Sequence, residues 1–301
     1  MPKIAIVTDS AACLPPDLVR HYRIHVIPFR VVFGRQVFRD GVDLTAQAFY
    51  ALLSQAESLP TTSQPSIGEF LETYRQISQE AEAIVSIHVP AAMTGTYGTA
   101  RAAWEMVGAD KPIAIIDSGS AAMGEGFVVL AAARAAAAGQ SLEQVVAAAQ
   151  AVMTKTYLFA ALDTLDYLRR GGRVAGVVAL VGNALRIKPV FCLKDGHVGL
   201  LTQRRSRHQT IEYMVEAMAE RVGEGPVHAA VFHGAVPEEA AELQRAVLSR
   251  FNCAEFYTTQ FTPVMGAHTG PGVWGVTFYS ESDPPPRNDN HLLSFLKGEG
   301  R

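Results

Sequence analysis

Cysteine is scarce in this chain of 301 residues, with three, Cys13, Cys192 and Cys253, far apart and odd in number. No C-x-x-C pair occurs, which excludes a disulfide framework and points to reduced structural thiols in a cytosolic protein. Long apolar runs are missing as well. The apolar run between Lys3 and Asp9 is only Ile4 to Val7, too short for the core of a signal peptide. The most apolar helical stretch, 127–138, contains Arg134 and falls short of the roughly 20 residues a membrane span needs. A soluble, cytoplasmic protein without integral membrane association is expected. Charge of one sign is lacking too: 26 basic against 29 acidic residues leave a net charge of −3. Nothing here advertises nucleic-acid binding, and the basic clusters lack interleaved aromatics. There is no G-x-x-x-x-G-K-[ST] phosphate loop and no G-x-S-x-G elbow. Asp9, Asp40, Asp43 and Asp117 form no pair whose spacing defines an acid–base site. The nine histidines are scattered, so neither a metal nor a cofactor is expected.

What is present is a set of hydroxyl-rich segments at predicted element ends. Residues 61–66 read Thr61-Thr62-Ser63-Gln64-Pro65-Ser66. Ser66 followed by Glu69 is a capping box that starts a helix, and Pro60 and Pro65 stiffen the approach. The reading is a rigid hydroxyl-bearing loop at the positive end of a helix, which suits a small anion. Thr94-Gly95-Thr96-Tyr97-Gly98 has the same character after a strand at 83–89, and Gly95 lets a backbone approach a ligand closely. His268 lies in Pro263-Val264-Met265-Gly266-Ala267-His268-Thr269-Gly270-Pro271-Gly272, a turn-rich setting not explained by an apolar helix face. Arg169, Arg170, Arg173, Arg186, Lys188, Arg204, Arg205 and Arg207 gather positive charge in the second half of a net acidic chain. Such a cluster is either a solvated face or a contact for phosphate or an acidic partner.

The organisation is two-part. Strands near 4–7, 83–88 and 112–116 alternate with helices near 45–54, 66–79, 100–107, 123–138 and 141–153, and 24–33 with 36–38 reads as a hairpin about Gly34-Arg35. This pattern predicts a mostly parallel sheet with helices on both faces, and ligands in such folds bind at the strand C-termini. After 156 the rhythm changes. Strands at 157–162, 227–233, 255–261 and 273–279 join a hairpin about Asp195-Gly196, with helices at 165–169, 174–185, 211–222 and 237–250. Expected domains are 1–155, a three-layer α/β/α unit; 156–282, an α+β unit with a mixed or antiparallel sheet; and a tail, 283–301.

Taken in order, Val7-Thr8-Asp9-Ser10, residues 60–66, Thr94-Gly95-Thr96-Tyr97, Ile116-Asp117-Ser118, 168–174, 185–190 and 263–272 resemble the DegV family over nearly the whole chain. The resemblance implies a two-domain, non-catalytic protein that holds one long-chain fatty acid, with the carboxylate between the domains and the tail in an apolar tunnel. It implies carboxylate contacts from Thr62, Thr94, Gly95 and His268. Ser63, Arg170, Arg173 and Arg205 are implied near the head group or a partner, a fatty acid kinase that phosphorylates the presented acid. Family members usually carry serine where Thr94 stands, and small polar residues where Ala91-Ala92-Met93 stand, which implies a drier pocket. The rival reading is a small-acid phosphotransferase or hydrolase using Asp9 and His268 as acid–base groups.

Overall fold

The computed structural model describes residues 3–108, 111–172 and 187–282. The expected helix at 174–185, Arg173, Arg186 and the tail 283–301 lie outside the described residues. The chain divides into two compact units. One comprises Met1–Thr154 with Thr262–Val264, the other Lys155–Phe261 with the chain from Met265 onward.

In the first unit the strands are β1 (Ile4–Asp9), β2 (His25–Ile27), β3 (Arg30–Phe33), β4 (Gln36–Arg39), β5 (Thr61–Ser63), β6 (Ala83–His88) and β7 (Ile113–Asp117). The helices are α1 (Pro16–Tyr22), α2 (Ala46–Leu53), α3 (Ile67–Glu80), α4 (Thr96–Val107), α5 (Met123–Ala137) and α6 (Leu142–Lys155). An all-parallel sheet runs in the order β2-β1-β6-β7. Every residue of β1 and β6 is buried, as expected of parallel strands covered on both faces. Phe70, Tyr74 and Ile77 of α3 and Ala100 and Ala103 of α4 pack against Ala5, Val7 and Ile84. The opposite face of β1 and β6 meets α5, where the side chain of Thr8 reaches Glu125. Small residues let α5 come close: a Cβ on Gly126 would stand 3.0 Å from the Ala12 carbonyl oxygen. These are the three layers of an α/β/α unit. A second, antiparallel sheet, β4-β3-β5, sets Val31 opposite both Phe38 and Thr62.

Two local readings need correction. Residues 24–33 are not one hairpin arm, because the segment splits around Pro28 into β2, a parallel strand, and β3, the hairpin strand. Proline has no N–H for a ladder, so a strand pair breaks there readily. Thr61, Thr62 and Ser63 are likewise not loop but the strand β5, paired to β3. β-Branched threonines suit that extended backbone.

The second unit contains β8 (Tyr157–Leu162), α7 (Asp166–Gly171), β9 (Lys188–Lys194), β10 (His197–Arg204), α8 (Arg207–Ala219), β11 (Val227–His233), α9 (Pro237–Arg250), β12 (Cys253–Gln260) and β13 (Val273–Ser280). The helix α10 (Pro263–Thr269) begins in the first unit's residues and continues in the second's. The sheet order is β10-β9-β8-β13-β11-β12, antiparallel except for the parallel pair β11–β12. Positive φ at both Asp195 and Gly196 makes the β9–β10 turn a type I′ hairpin connection. Phe159, Met214, Met218, Leu243, Val247, Trp274 and Phe278 fill the core between the sheet and α8 and α9. The architecture is therefore a parallel-sheet α/β unit followed by an α+β unit with a mixed sheet.

Candidate functional site

The first of the hydroxyl segments is held from both ends. Ser66 caps α3 and forms the full capping box with Glu69, whose side chain also receives Arg30 at 2.7 Å. Thr62 faces Val31 in the β3–β5 ladder. Gln64 follows two residues after Thr62, and along an extended chain alternate side chains point the same way. Its amide is where the two segments meet. Gln64 Nε2 donates to Thr99 Oγ1 at 2.6 Å, and Gln64 Oε1 accepts from Thr94 Oγ1 at 3.2 Å. Thr94 Oγ1 lies 2.8 Å from Thr96 Oγ1 and accepts from the Thr96 N–H at 3.3 Å. Thr99 Oγ1 donates to the Gly95 carbonyl at 3.1 Å. Gly95 occupies the cap position of α4 with no side-chain cap, so the positive end of a twelve-residue helix opens among these oxygens. The bare Gly95 leaves the Gln64 amide its place: a Cβ there would sit 2.7 Å from Gln64 Oε1 and displace that side-chain end.

Behind this cradle stands a sealed polar chain. Asp9 Oδ2 meets His88 Nδ1 at 3.0 Å and accepts from the Val89 N–H at 3.2 Å. Asp9 Oδ1 accepts from the Ala11 N–H at 3.0 Å. His88 Nε2 is 2.7 Å from Ser86 Oγ, which is 2.9 Å from Tyr74 Oη. The order Asp–His–Ser is that of a nucleophilic triad, yet all three residues are 0% exposed. No substrate reaches that serine. The chain instead ties the C-terminal ends of β1 and β6 together, just before the segment that carries Thr94. Asp9, offered by the rival reading as an acid–base group, has its oxygens committed to this bonding.

Two more buried acids lie in the same unit. Desolvation is the main cause that pushes the Asp40 carboxyl up to about 6, while Asp40 Oδ1 accepts from the Val264 N–H at 3.2 Å. Burial also holds the Glu125 carboxyl well above the usual range, with Thr8 Oγ1 donating to it at 3.0 Å. The Cys13 thiol, buried as well, is pushed up to about 12, which makes it inert as a nucleophile. Among the described residues no group of His, Cys, Asp and Glu is placed to hold a metal ion. His21 and His25 stand four apart, but α1 ends at Tyr22 and His25 opens β2, so they share no helical face.

The other sequence-expected residues fall in the second unit or at the surface. His268 is in the last turn of α10, which corrects the reading of its segment as turns; the turn is Gly270, whose positive φ follows the helix end. A Cβ on Gly171 would lie 3.0 Å from His268 Nδ1, so α7 and α10 touch at this point. Arg170 and Arg205 are exposed, as is Ser63 in the first unit. Arg173 lies outside the described residues. Thr94 and Gly95 thus stand against the Gln64 amide, and Thr62 lies two residues before it in β5.

The profile of the DegV family, described as uncharacterised protein, matches residues 3–281. The chain belongs to the DegV family. A DegV domain-containing protein of Streptomyces coelicolor is 37% identical over 279 residues, 92% of this chain and 98% of that one. A solved DegV family protein from Thermus thermophilus, described for its fatty acid binding, superposes with a TM-score of 0.87 at 30% identity, covering 92% of this chain and 99% of its own. DegV of Bacillus subtilis, described as a fatty acid binding protein, gives 0.85 at 31% identity with the same coverage. Among the described residues of this DegV chain no helix is long and apolar enough to cross a membrane.

Sequence reasoning missed Gln64 as the residue that joins the two hydroxyl segments of this DegV chain. The only available signal was its place between the two threonines and Pro65; its partners lie 30 and 35 residues away. The sealed Asp9–His88–Ser86 chain was missed for the same reason, since Asp9 and His88 are 79 residues apart.

Proposed function

We propose that the protein binds one long-chain fatty acid and performs no chemistry on it. The observation that carries this reading is the cradle at the start of α4, in which three threonines, one amide and a glycine converge without a lysine or a carboxylate. Such a site suits an acceptor-only carboxylate, which must regain hydrogen bonds when it leaves water. The fatty acid binding described for the Thermus and Bacillus relatives supports it. In this proposal Thr62 and Thr94 donate to the carboxylate, Gly95 offers its N–H, and His268 reaches the same head group from the second unit. The tail takes an apolar tunnel, where each buried methylene contributes roughly 0.8 kcal/mol. Arg170, Arg173 and Arg205, with Ser63, meet the head group or a fatty acid kinase to which the acid is presented.

Mass spectrometry of small molecules released on denaturation tests the reading directly. One fatty acid per chain is expected, or stoichiometric oleate uptake by delipidated protein. Absence of both removes the proposal. Transfer of phosphate to bound oleate only when a fatty acid kinase is added would support the presentation step; phosphorylation of free oleate at the same rate would remove it.

A further inference from the structure

The cradle's hydrogen bonding turns on Gln64. A threonine hydroxyl has one proton and two lone pairs. Thr94 accepts from the Thr96 N–H at 3.3 Å, faces the Thr96 hydroxyl at 2.8 Å, and gives its own proton to Gln64 Oε1 at 3.2 Å. Wired this way, Thr94 has nothing left to donate to an anion. Thr99 meanwhile receives Gln64 Nε2 at 2.6 Å and passes its proton to the Gly95 carbonyl at 3.1 Å.

A half-turn of the amide reverses the direction. Oxygen and NH₂ ends are close in size, and the terminal torsion of glutamine is broad and roughly two-fold. After the turn Nε2 donates to Thr94, whose proton is released toward a ligand. Oε1 then accepts the proton of Thr99, which leaves the Gly95 carbonyl. The Gln64 amide has a donor and an acceptor partner in both wirings. Gly95 leaves room for the movement, because a Cβ there would lie 2.7 Å from one end of the amide and 3.0 Å from the other.

We infer that Gln64 is a positioning residue whose amide orientation decides whether Thr94 presents a proton to a bound carboxylate, and that this makes the cradle selective for an ionised head group. The inference rests on the fatty acid reading above and assigns how its head group is recognised. An acceptor-only ligand favours the released wiring. A fatty alcohol, which brings its own proton, works with either.

The test uses the delipidated full chain and compares dissociation constants for oleate and oleyl alcohol. Wild type should prefer oleate. Gln64→Glu offers acceptors at both ends, holds the Thr94 proton inward and adds a like charge. It should lose roughly tenfold or more for oleate, with a much smaller change for oleyl alcohol. Gln64→Met removes the acceptor without adding one, so Thr94 stays free to donate and the preference for oleate should stay within about threefold of wild type. Equal losses for acid and alcohol in Gln64→Glu would show a merely structural role and overturn the inference, as would a Gln64→Met protein whose preference collapses. Should Gln64→Glu fail to fold, the Gln64→Met ratio decides alone. Wild-type protein that takes up neither lipid overturns the fatty acid reading itself, an outcome separate from any change between variants.

Discussion

The two units solve the placement of polar groups in opposite ways. In the first, a parallel sheet sends every strand in one direction, so the loops after β1, β6 and β7 collect at a single edge. Asp9, His88, Thr94 and Asp117 all lie at or just beyond those strand ends. In the second unit neighbouring strands mostly run antiparallel, and the loops are shared between two edges. Its core is apolar, and its notable charged cluster sits at the sheet margin, where His228 bridges Glu255 at 2.6 Å and Glu281 at 2.9 Å while stacking on Tyr279. The lesson is that parallel topology concentrates chemistry before any ligand is considered.

Breaking the sealed chain should have the largest effect. Asp9→Ala leaves His88 Nδ1 and the N–H groups of Ala11 and Val89 buried without their acceptor, and should cost about 3–5 kcal/mol. The two tryptophans, Trp104 in α4 and Trp274 in β13, allow the units to be followed apart. Urea unfolding in a Trp274→Phe background should show the loss through Trp104. An unchanged Trp104 transition would refute the role given to Asp9.

The matching perturbation of the second unit is steric. A Cβ at Gly275 would collide with the Phe159 carbonyl oxygen and come within 2.6 Å of Phe232 Cζ. Gly275→Ala should therefore cost about 1–3 kcal/mol by overpacking, read through Trp274 in a Trp104→Phe background. Wild-type stability there would mean that the sheet is less tightly packed than described.

Next comes the cradle. Thr62→Val and Thr94→Val keep the shape and remove a donor each. Each alone should weaken oleate binding about tenfold to a hundredfold, since a hydrogen bond to a charged group contributes about 1.5–3 kcal/mol. The fold, checked by thermal melting, should hold. Unchanged affinity would remove both threonines from the head group.

The smallest effects are pH windows that differ between the units. For Asp40, a folded pKa of about 6 against an ordinary 3.8 means the neutral form is favoured in the fold. Its contribution is full below 3.8 and is lost as pH rises through about 6. Asp40→Asn should flatten that slope in the first unit. His228 gains a raised pKa despite burial because Glu255 and Glu281 both bond it. Its contribution is complete below the ordinary value of 6.5 and is lost as pH rises through the higher folded value. His228→Gln should abolish that later loss in the second unit. Identical pH profiles for wild type and each variant would show that neither group titrates as described.

Much of this was legible along the chain because the determining contacts are local. The capping box at Ser66–Glu69 forms as its spacing requires, and Asp195-Gly196 closes its hairpin. Continuous apolar runs marked β1 and β6 as buried parallel strands. Other features were invisible for a geometric reason. That Thr61 to Ser63 form a strand depends on β3 lying alongside, and the parallel pairing of β11 with β12 depends on the helix that carries the chain across.

Residue type and short-range pattern alone determined where the capped helix α3 begins, which segments are rich in hydroxyls, and that no charged nucleophile accompanies them. The tertiary structure decided what those hydroxyls do. It set Gln64 against Thr94 and Thr99, buried Asp9 beneath His88, and left the Thr94 proton to be directed by an amide from another loop. Hydrogen-bond direction is a property of three-dimensional neighbours, and no spacing along a chain encodes it.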